Sequence, residues 1–278
     1  MENTAINNEK VSNFDSNPIT NAVTGIITII KNNPITIILL PILFGLAYAA
    51  TMLAIILLVA IGVVSKIVPL AIIFVLLGLL LIGVVGNLFG GSFFVTAVKS
   101  SDNQKVEVSE AIKITSKRVF PYWGMNILIG LGTFIGLLLL IVPGIIFVGR
   151  SSLAPYIFFK ENLGAMDSIK KSFELTKGHT IEMLSTLIAL GLFSGGGIGL
   201  LFGATIVGPL TSRYDDLSRL KASQATKPAI HWLNYLLVFA GIVFFFFYVI
   251  YVVLAIIAGA TSDTTSTTGL MHQIKQIV

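Results

Sequence analysis

The stretch that decides the fold is PITIILLPILFGLAYAATMLAIILLVAIGVVSKIVPLAIIFVLLGLLLIGVVGNLFGGSFFVTAV, residues 34–98. Its only charged residue is Lys66, and an uncharged apolar run lies on each side of Ser65-Lys66. Because about 20 apolar residues suffice for an α-helix to cross the hydrocarbon of a bilayer, each run is long enough to span it. We therefore expect two transmembrane helices, at about 34–64 and 67–98, joined as a hairpin.

The composition of the whole chain supports a membrane protein. Of its 278 residues, 55% are hydrophobic and 11% are charged, and the mean hydropathy is +0.93. A soluble domain of similar length carries about 25% charged residues. These values exclude an ordinary globular enzyme and predict a polytopic α-helical membrane protein.

Four further apolar stretches follow, and they complete the expected architecture. We predict an all-α integral membrane protein with six transmembrane helices in three hairpins and short amphipathic helices on the cytoplasmic face. Residues 1–17 form a polar leader, 18–259 the membrane domain, and 260–278 a flexible Ser/Thr-rich tail. The four further spans are expected at about 122–142, 145–159, 181–210 and 231–258, with a break at Pro143-Gly144.

Basic residues predict the orientation in the cell inner membrane. Lysines and one arginine are concentrated in the linker 99–121 and again in 160–177, and the positive-inside rule places both segments in the cytoplasm. Six spans then place both termini in the cytoplasm. The loop 211–230 conflicts with this arrangement, because it is also basic and six spans would put it outside. A re-entrant hairpin turning at 195–197 would remove the conflict, but we favour one continuous helix over 181–210.

The polar linkers suggest a threefold repeat. A short helix precedes a spanning helix near Asn33-Pro34, again near Pro121-Tyr122, and again near Gly178-His179. The unit would be an interfacial helix followed by a hairpin. The few identical residues leave open whether this is an internal duplication or the ordinary alternation of a hairpin protein.

The segment AMDSIKKSFELTKGH, residues 165–179, has the pattern of an amphipathic helix. Met166, Ile169, Phe173 and Thr176 recur with helical spacing, and charged side chains occupy the rest of the circumference. Such a helix lies at the membrane surface with its lysines near lipid phosphates. We therefore predict an anionic lipid or a protein partner for this surface, or else a structural collar that sets helix depth. The lysines concerned are Lys170, Lys171 and Lys177.

Residues 143–178, PGIIFVGRSSLAPYIFFKENLGAMDSIKKSFELTKG, carry a resemblance to a known family. They resemble bacterial polytopic proteins that include the membrane domain attached to some glycerophosphodiester phosphodiesterases, together with related domains of unknown function. The resemblance implies a six-helix membrane fold. It implies no phosphodiesterase activity, because catalysis in the attached enzymes belongs to a separate soluble barrel. The shared residues are Pro143, Gly144, Arg150, Pro155, Glu161, Ser172, Glu174, Leu175, Thr176 and Gly178.

Arg150 is the strongest single candidate for a binding residue. It stands in an apolar stretch, about 15 Å from Lys160 along a straight helix. Charges at that depth usually face the interior of a bundle or a wet cavity, where they contact a ligand or a structural partner. Arg150 is therefore predicted to bind an anion or lipid headgroup, or to pair with Glu161 or Glu182, or to cap carbonyls near Pro155.

A glycine appears at every fourth position of the fifth predicted span. This spacing predicts a helix face that packs closely against a neighbour, rather than a flexible gate. The glycines are Gly191, Gly195, Gly199 and Gly203.

The sequence offers little for catalysis. It has no cysteine, its histidines are far apart, and Asp215-Asp216 is expected to be a solvated pair in a loop. We expect no metal, no cofactor and no nucleic-acid partner. The predicted function is a non-enzymatic scaffold or accessory protein that binds anionic lipid, a protein partner or further copies of itself as a homo-oligomer. The alternative is a transporter or lipid-moving protein with a cavity around Arg150.

Overall fold

A computed structural model describes residues 17–65, 68–194, 204–223 and 229–277, and these residues form helices without strands. The short helices at the start of the chain and between the spans alternate with long apolar ones. The helices are α1 Pro18–Asn32, α2 Pro34–Val64, α3 Val68–Ser101, α4 Val108–Ser116, α5 Val119–Leu139, α6 Ile141–Ser151, α7 Ala154–Lys160, α8 Ala165–Leu175, α9 Thr180–Ser194, α10 Ala204–Ser223 and α11 Trp232–Ile277.

Within the described ranges, five helical segments are long and apolar enough to cross a membrane, where six had been expected. The apolar helix α9 is described over 15 residues, about 22 Å at 1.5 Å per residue, which is less than the hydrocarbon core of about 30 Å. The five candidate spans are Pro34–Gly62, Val68–Ser101, Val119–Leu139, Ile141–Lys160 and Trp232–Ala258.

The predicted single helix over 181–210 is wrong. Helix α9 ends at Ser194, and the Arg213 Nε of α10 donates a hydrogen bond to the Thr186 Oγ1 of α9 at 3.2 Å. A continuous helix would separate these two residues by about 40 Å, so the chain reverses direction between α9 and α10. Gly195, Gly199 and Gly203 of the predicted glycine face lie outside the described residues, and Gly191 lies in α9.

Prolines fix several helix starts and shift one predicted break. Pro18 and Pro34 each stand at the first position of a helix, where the missing N–H costs no hydrogen bond. The break expected at Pro143-Gly144 lies instead at Leu140, whose backbone is extended, and Pro143 belongs to the first turn of α6. A second break at Leu153 places Pro155 in the first turn of α7.

The interfacial helices and the polar linkers meet at one end of the bundle, which we call the polar end. It comprises residues 31–36, 99–120, 158–180 and 213–223. Hydrogen bonds join these four segments: Asn32 to Ser100, Arg118 to Phe158, and Tyr214 to Glu161. The buried apolar core lies directly beneath, between α1, α3, α7 and α10.

The loop predicted at 211–230 is helical as far as Ser223, and it lies at the polar end. Lys221 of α10 pairs with Glu174 of α8 at 3.5 Å. The basic residues of α10 therefore lie on the same side of the membrane as the other basic linkers. A single helix over 181–210 would have placed them on the opposite side, so the conflict with the positive-inside rule is removed.

Helix α11 starts at the polar end, because the Ser185 Oγ of α9 donates to the Asn234 Oδ1 of α11. It then continues to Ile277, so the flexible tail expected at 260–278 is helical for most of its length. No proline interrupts residues 232–277, and adding a residue to a formed helix costs little compared with starting one.

Candidate functional site at the polar end

Arg150, the leading candidate from the sequence, holds helix α8 in place. Its Nη2 donates to the Phe173 carbonyl at 2.8 Å, and its guanidinium carbon lies 4.8 Å from the centre of the Phe173 ring. In return the Arg150 carbonyl accepts hydrogen bonds from Ser172 Oγ at 2.6 Å and Thr176 Oγ1 at 3.2 Å. The expected pairing of Arg150 with Glu161 or Glu182 is not seen.

This contact explains several residues of the family-like stretch. The last carbonyls of a helix lack partners within it, and a cation near them also interacts favourably with the helix dipole. Arg150 meets that need at the end of α8, while Ser172 and Thr176 provide the returning hydrogen bonds. Gly178 then adopts a φ of 83°, which allows the turn into α9. These residues of the family-like stretch thus form a contact between helices α6 and α8.

Arg118 makes an equivalent contact that the sequence analysis missed. Its Nη1 donates to the Phe158 carbonyl at 2.9 Å and to the Asn162 Oδ1 at 2.6 Å, and its Nη2 donates to the Leu163 carbonyl. The guanidinium carbon stacks 3.8 Å from the centre of the Phe158 ring. Burial lowers the pKa of Arg118, but an arginine with a lowered pKa stays charged at neutral pH. The feature of the sequence that could have indicated this role is the position of Arg118 immediately before a predicted span.

Glu161 joins three elements of the polar end. Its Oε2 accepts from Lys171 Nζ, and its Oε1 accepts from Tyr214 Oη at 2.8 Å. Burial, and next the hydrogen bond to Glu161, raise the pKa of Tyr214. Because Lys171 is bound to Glu161, it is less suited to lipid than its neighbour Lys170.

Asp215 and Asp216 lie on helix α10, so the expected solvated loop pair is wrong. Asp216 Oδ2 accepts from Asn21 Nδ2 of α1 at 2.6 Å. Burial raises the pKa of Asp215, and the charges of Lys160 and Arg219 oppose that shift. The Asp216 carboxylate therefore contributes to a contact between helices, whereas Asp215 is partly buried.

A buried polar cluster joins α9, α10 and α11. Glu182 and Arg213 are almost completely buried, and His179 Nδ1 lies 3.1 Å from Glu182 Oε1. Thr186 Oγ1 donates to the Glu182 carbonyl and accepts from Arg213 Nε. The spacing of these residues in the sequence gave no sign of the cluster, because it forms only when the chain reverses after α9.

The lysines divide into two groups. Lys160 pairs with Asp102 at 2.5 Å, Lys171 with Glu161, and Lys221 with Glu174. Six other lysines are exposed and form no ion pair with any residue that the structure describes; they are Lys31, Lys105, Lys113, Lys117, Lys170 and Lys177. Two of the predicted lipid-binding lysines, Lys170 and Lys177, thus remain available.

Helix α8 packs against protein through its buried face. Ser168, Ile169, Ser172 and Leu175 are buried, whereas Met166 of the predicted apolar stripe is exposed. Hydroxyl and small side chains on the buried face let α8 approach α6 and α7 closely. The helix therefore presents its charged face outward.

Arg150 lines neither of two cavities in the described part of the protein. An open groove of about 790 Å³ lies between the start of α2 and residues 105–110, and an apolar cavity of about 600 Å³ lies between α6, α9 and α11. The described residues contain no cluster of three or more His, Asp or Glu side chains that could hold a metal ion.

Comparison with known proteins supports the prediction that the chain is a bacterial membrane protein. No family model matches the chain, and no solved structure matches it. The chain is similar to the UPF0259 membrane protein SG1383 of Sodalis glossinidius (strain morsitans), with 31% identity over 122 residues, 44% of this chain and 48% of the relative. The chain thus spans about half the length of the curated relative it matches. The resemblance of residues 143–178 to the phosphodiesterase-associated family stays a prediction.

Proposed function

We propose that the protein is a non-enzymatic accessory protein of the inner membrane whose polar end binds anionic lipid. The observation that carries this proposal is the division of the lysines: three are paired with carboxylates, while Lys113, Lys117, Lys170 and Lys177 are exposed at the end of the spanning helices. Each exposed lysine near an anionic surface contributes about 1 kcal/mol to lipid binding.

The alternative function, movement of a substrate through a cavity at Arg150, has less support. The guanidinium of Arg150 is bound to the Phe173 carbonyl and stacked on the Phe173 ring. We therefore assign Arg150 to the structural frame of the polar end and leave lipid contact to the exposed lysines.

The binding experiment counts lipids on the intact protein. Delipidated protein in mild detergent is incubated with mixed micelles containing phosphatidylglycerol, and bound lipids are counted by native mass spectrometry. We expect Lys170→Gln with Lys177→Gln to weaken retention about fivefold for each lysine, from ~1 kcal/mol per charge.

The matched control is Lys171→Gln, one residue away on the same helix. Its Nζ binds Glu161, so this variant should lower the melting temperature and leave lipid retention unchanged. If the double variant holds as much phosphatidylglycerol as the unaltered protein, the proposed function is rejected.

The proposed orientation places the polar end in the cytoplasm, following its excess of basic residues. Five crossing helices would put the two ends of the chain on opposite faces, rather than both in the cytoplasm as six spans require. The chain has no cysteine, so single cysteines at Ser65 and Ser223 can be tested on intact cells with an impermeant thiol reagent. We expect labelling at Ser65→Cys alone; the reverse pattern would invert the orientation.

A further inference from the structure

The open groove at the polar end has features of a binding site that the exposed lysines of α8 do not share. It has a volume of about 790 Å³, within the range of about 300–1,000 Å³ that is usual for small-molecule sites. One wall is the first two turns of α2 and the other is the segment that leads into α4. The lining residues on which its chemistry depends are Asn33, Thr36, Leu39, Lys105, Glu107 and Glu110.

Hydrogen bonds fix the two walls to each other. The Asn33 Nδ2 donates to the Gln104 carbonyl at 3.0 Å, and the Asn33 Oδ1 accepts from the Val106 backbone N–H at 2.7 Å. Thr36 Oγ1 donates to the Val106 carbonyl at 2.6 Å. The buried Asn33 side chain thus pairs with residues 104–106 as a neighbouring strand would, and the groove is formed before any ligand binds.

The groove carries charges of both signs at its outer rim. Lys105, Glu107 and Glu110 all line it and are exposed. Glu107 precedes the first turn of α4 but does not cap it with its side chain, and its hydrogen bond from Ser109 Oγ is 3.5 Å long. The rim therefore offers one cation and two carboxylates, a poor match for a purely anionic group.

The inner part of the groove is apolar and leads into the membrane. Ile35 is 75% exposed, and Leu39 lies one turn further along α2, with Ile38 and Ile42 exposed beside it. Since α2 is one of the candidate spans, this strip continues from the water-facing end of the helix into hydrocarbon. A ligand with a charged head and an apolar chain fits both parts.

We propose that the groove binds a zwitterionic phospholipid with a primary ammonium, of the phosphatidylethanolamine class. Its phosphate would lie toward Lys105, its ammonium would donate hydrogen bonds to Glu107 and Glu110, and one acyl chain would follow the exposed side chains of α2. This site and its lipid differ from those of the proposed function, which concerns phosphatidylglycerol at the exposed lysines.

The experiment is a competition between headgroups. Delipidated full-length protein is incubated with mixed micelles holding equal amounts of phosphatidylethanolamine, phosphatidylcholine and phosphatidylglycerol, and native mass spectrometry counts each bound lipid. We expect one phosphatidylethanolamine to be retained in preference to phosphatidylcholine, whose quaternary ammonium cannot donate a hydrogen bond. Glu107→Gln with Glu110→Gln should weaken its retention about fivefold for each charge removed.

Two controls separate this site from general charge effects. Glu174→Gln removes an exposed carboxylate on α8 and should leave phosphatidylethanolamine retention unchanged. Lys170→Gln with Lys177→Gln should reduce phosphatidylglycerol alone, so failure of the proposed function would be seen separately.

Two results would overturn the groove as a site for this lipid. One is equal retention of phosphatidylethanolamine and phosphatidylcholine by the unaltered protein. The other is unchanged phosphatidylethanolamine retention in the Glu107→Gln, Glu110→Gln variant. The variants are compared only as monodisperse protein with the helical circular dichroism of the unaltered chain. Both glutamates are exposed, so their substitution leaves the packing of the helices unchanged.

Discussion

Two of the candidate spans are held in the molecule very differently. In Ile141–Lys160, 44% of the most apolar window is buried inside the protein, whereas in Pro34–Gly62 none of it is. The first segment carries Arg150 and leads to the carbonyls bound by Arg118, and it is joined to α8 and α10 by side-chain hydrogen bonds. Among the residues that the structure describes, the second has such bonds to other helices or linkers only at its first turn, through Thr36.

The difference in burial and hydrogen bonding between the two spans follows from their lipid surroundings. Lipid chains are as apolar as leucine, so burial of apolar surface does not drive two spans together within a bilayer. Association there depends on polar bonds and on close backbone contact. Polar bonds are concentrated at the polar end, and the α1–α10 crossing brings two backbones close together at Gly25 and Gly208. We therefore expect substitutions in these two regions to cost far more than substitutions of the same kind in the outer spans.

The largest expected effect is at the crossing of α1 and α10. A Cβ at Gly25 would overlap the Gly208 carbonyl oxygen, and a Cβ at Gly208 would lie 2.7 Å from the Ile26 nitrogen. Because backbone atoms cannot yield as side chains do, Gly25→Ala should destabilise by about 3 kcal/mol or more in thermal melting in detergent.

The control for that substitution is Gly45→Ala in the outer span α2, where a Cβ would meet nothing within 4 Å. Alanine is the better helix former by about 0.5–1 kcal/mol, so this variant should match or exceed the unaltered protein. Equal losses from the two substitutions would contradict the contrast between the α1–α10 crossing and the outer span.

The next largest loss of stability is expected from removing the side chain of Arg118 or Arg150. Arg118→Ala removes three hydrogen bonds and Arg150→Ala removes one, and hydrogen bonds to charged groups contribute about 1.5–3 kcal/mol. We expect the melting temperature to fall for both, and further for Arg118→Ala. Proteolysis should show α8 loosened in Arg150→Ala.

Substitution of lysine for Arg118 or Arg150 tests whether the shape of the guanidinium matters in addition to its charge. A lysine keeps the charge but cannot present the planar fork of a guanidinium, so Arg118→Lys should recover only part of the loss. Full recovery would mean that charge alone matters at Arg118. An inert Arg150→Ala would remove the structural role assigned to Arg150.

The smallest expected effect concerns a polar-end residue that costs stability. Burial raises the pKa of Asp215 above its ordinary value of 3.8, so the folded protein binds more protons than the unfolded chain between those two pKa values. Stability from this group therefore falls as pH rises through that window, and the cost persists at neutral pH. Asp215→Asn should raise the melting temperature at pH 7, with the advantage shrinking as the pH is lowered toward the ordinary value of 3.8. An advantage that grows on acidification would contradict the raised pKa.

Much of the fold could be predicted from the sequence. Helix α1, the hairpin at 34–64 and 67–98, and the basic linkers follow from composition and spacing, because transfer into hydrocarbon depends on which residues a segment contains. The exposed Lys170 and Lys177 also followed from helical periodicity. The break near Pro143 was misplaced by a few residues, because a proline is tolerated inside the first turn of a helix as well as after its end.

The sequence by itself determined the class of the protein and which end of it is basic, since hydropathy and charge act residue by residue. Only the tertiary structure decided that the chain reverses between α9 and α10, that Arg150 holds a helix end, and that Asn33 shapes a groove with residues 104–110. Those features depend on which helices meet. Asn21 and Asp216 are in contact although they are far apart in the chain, and the periodicity of a sequence does not predict such contacts.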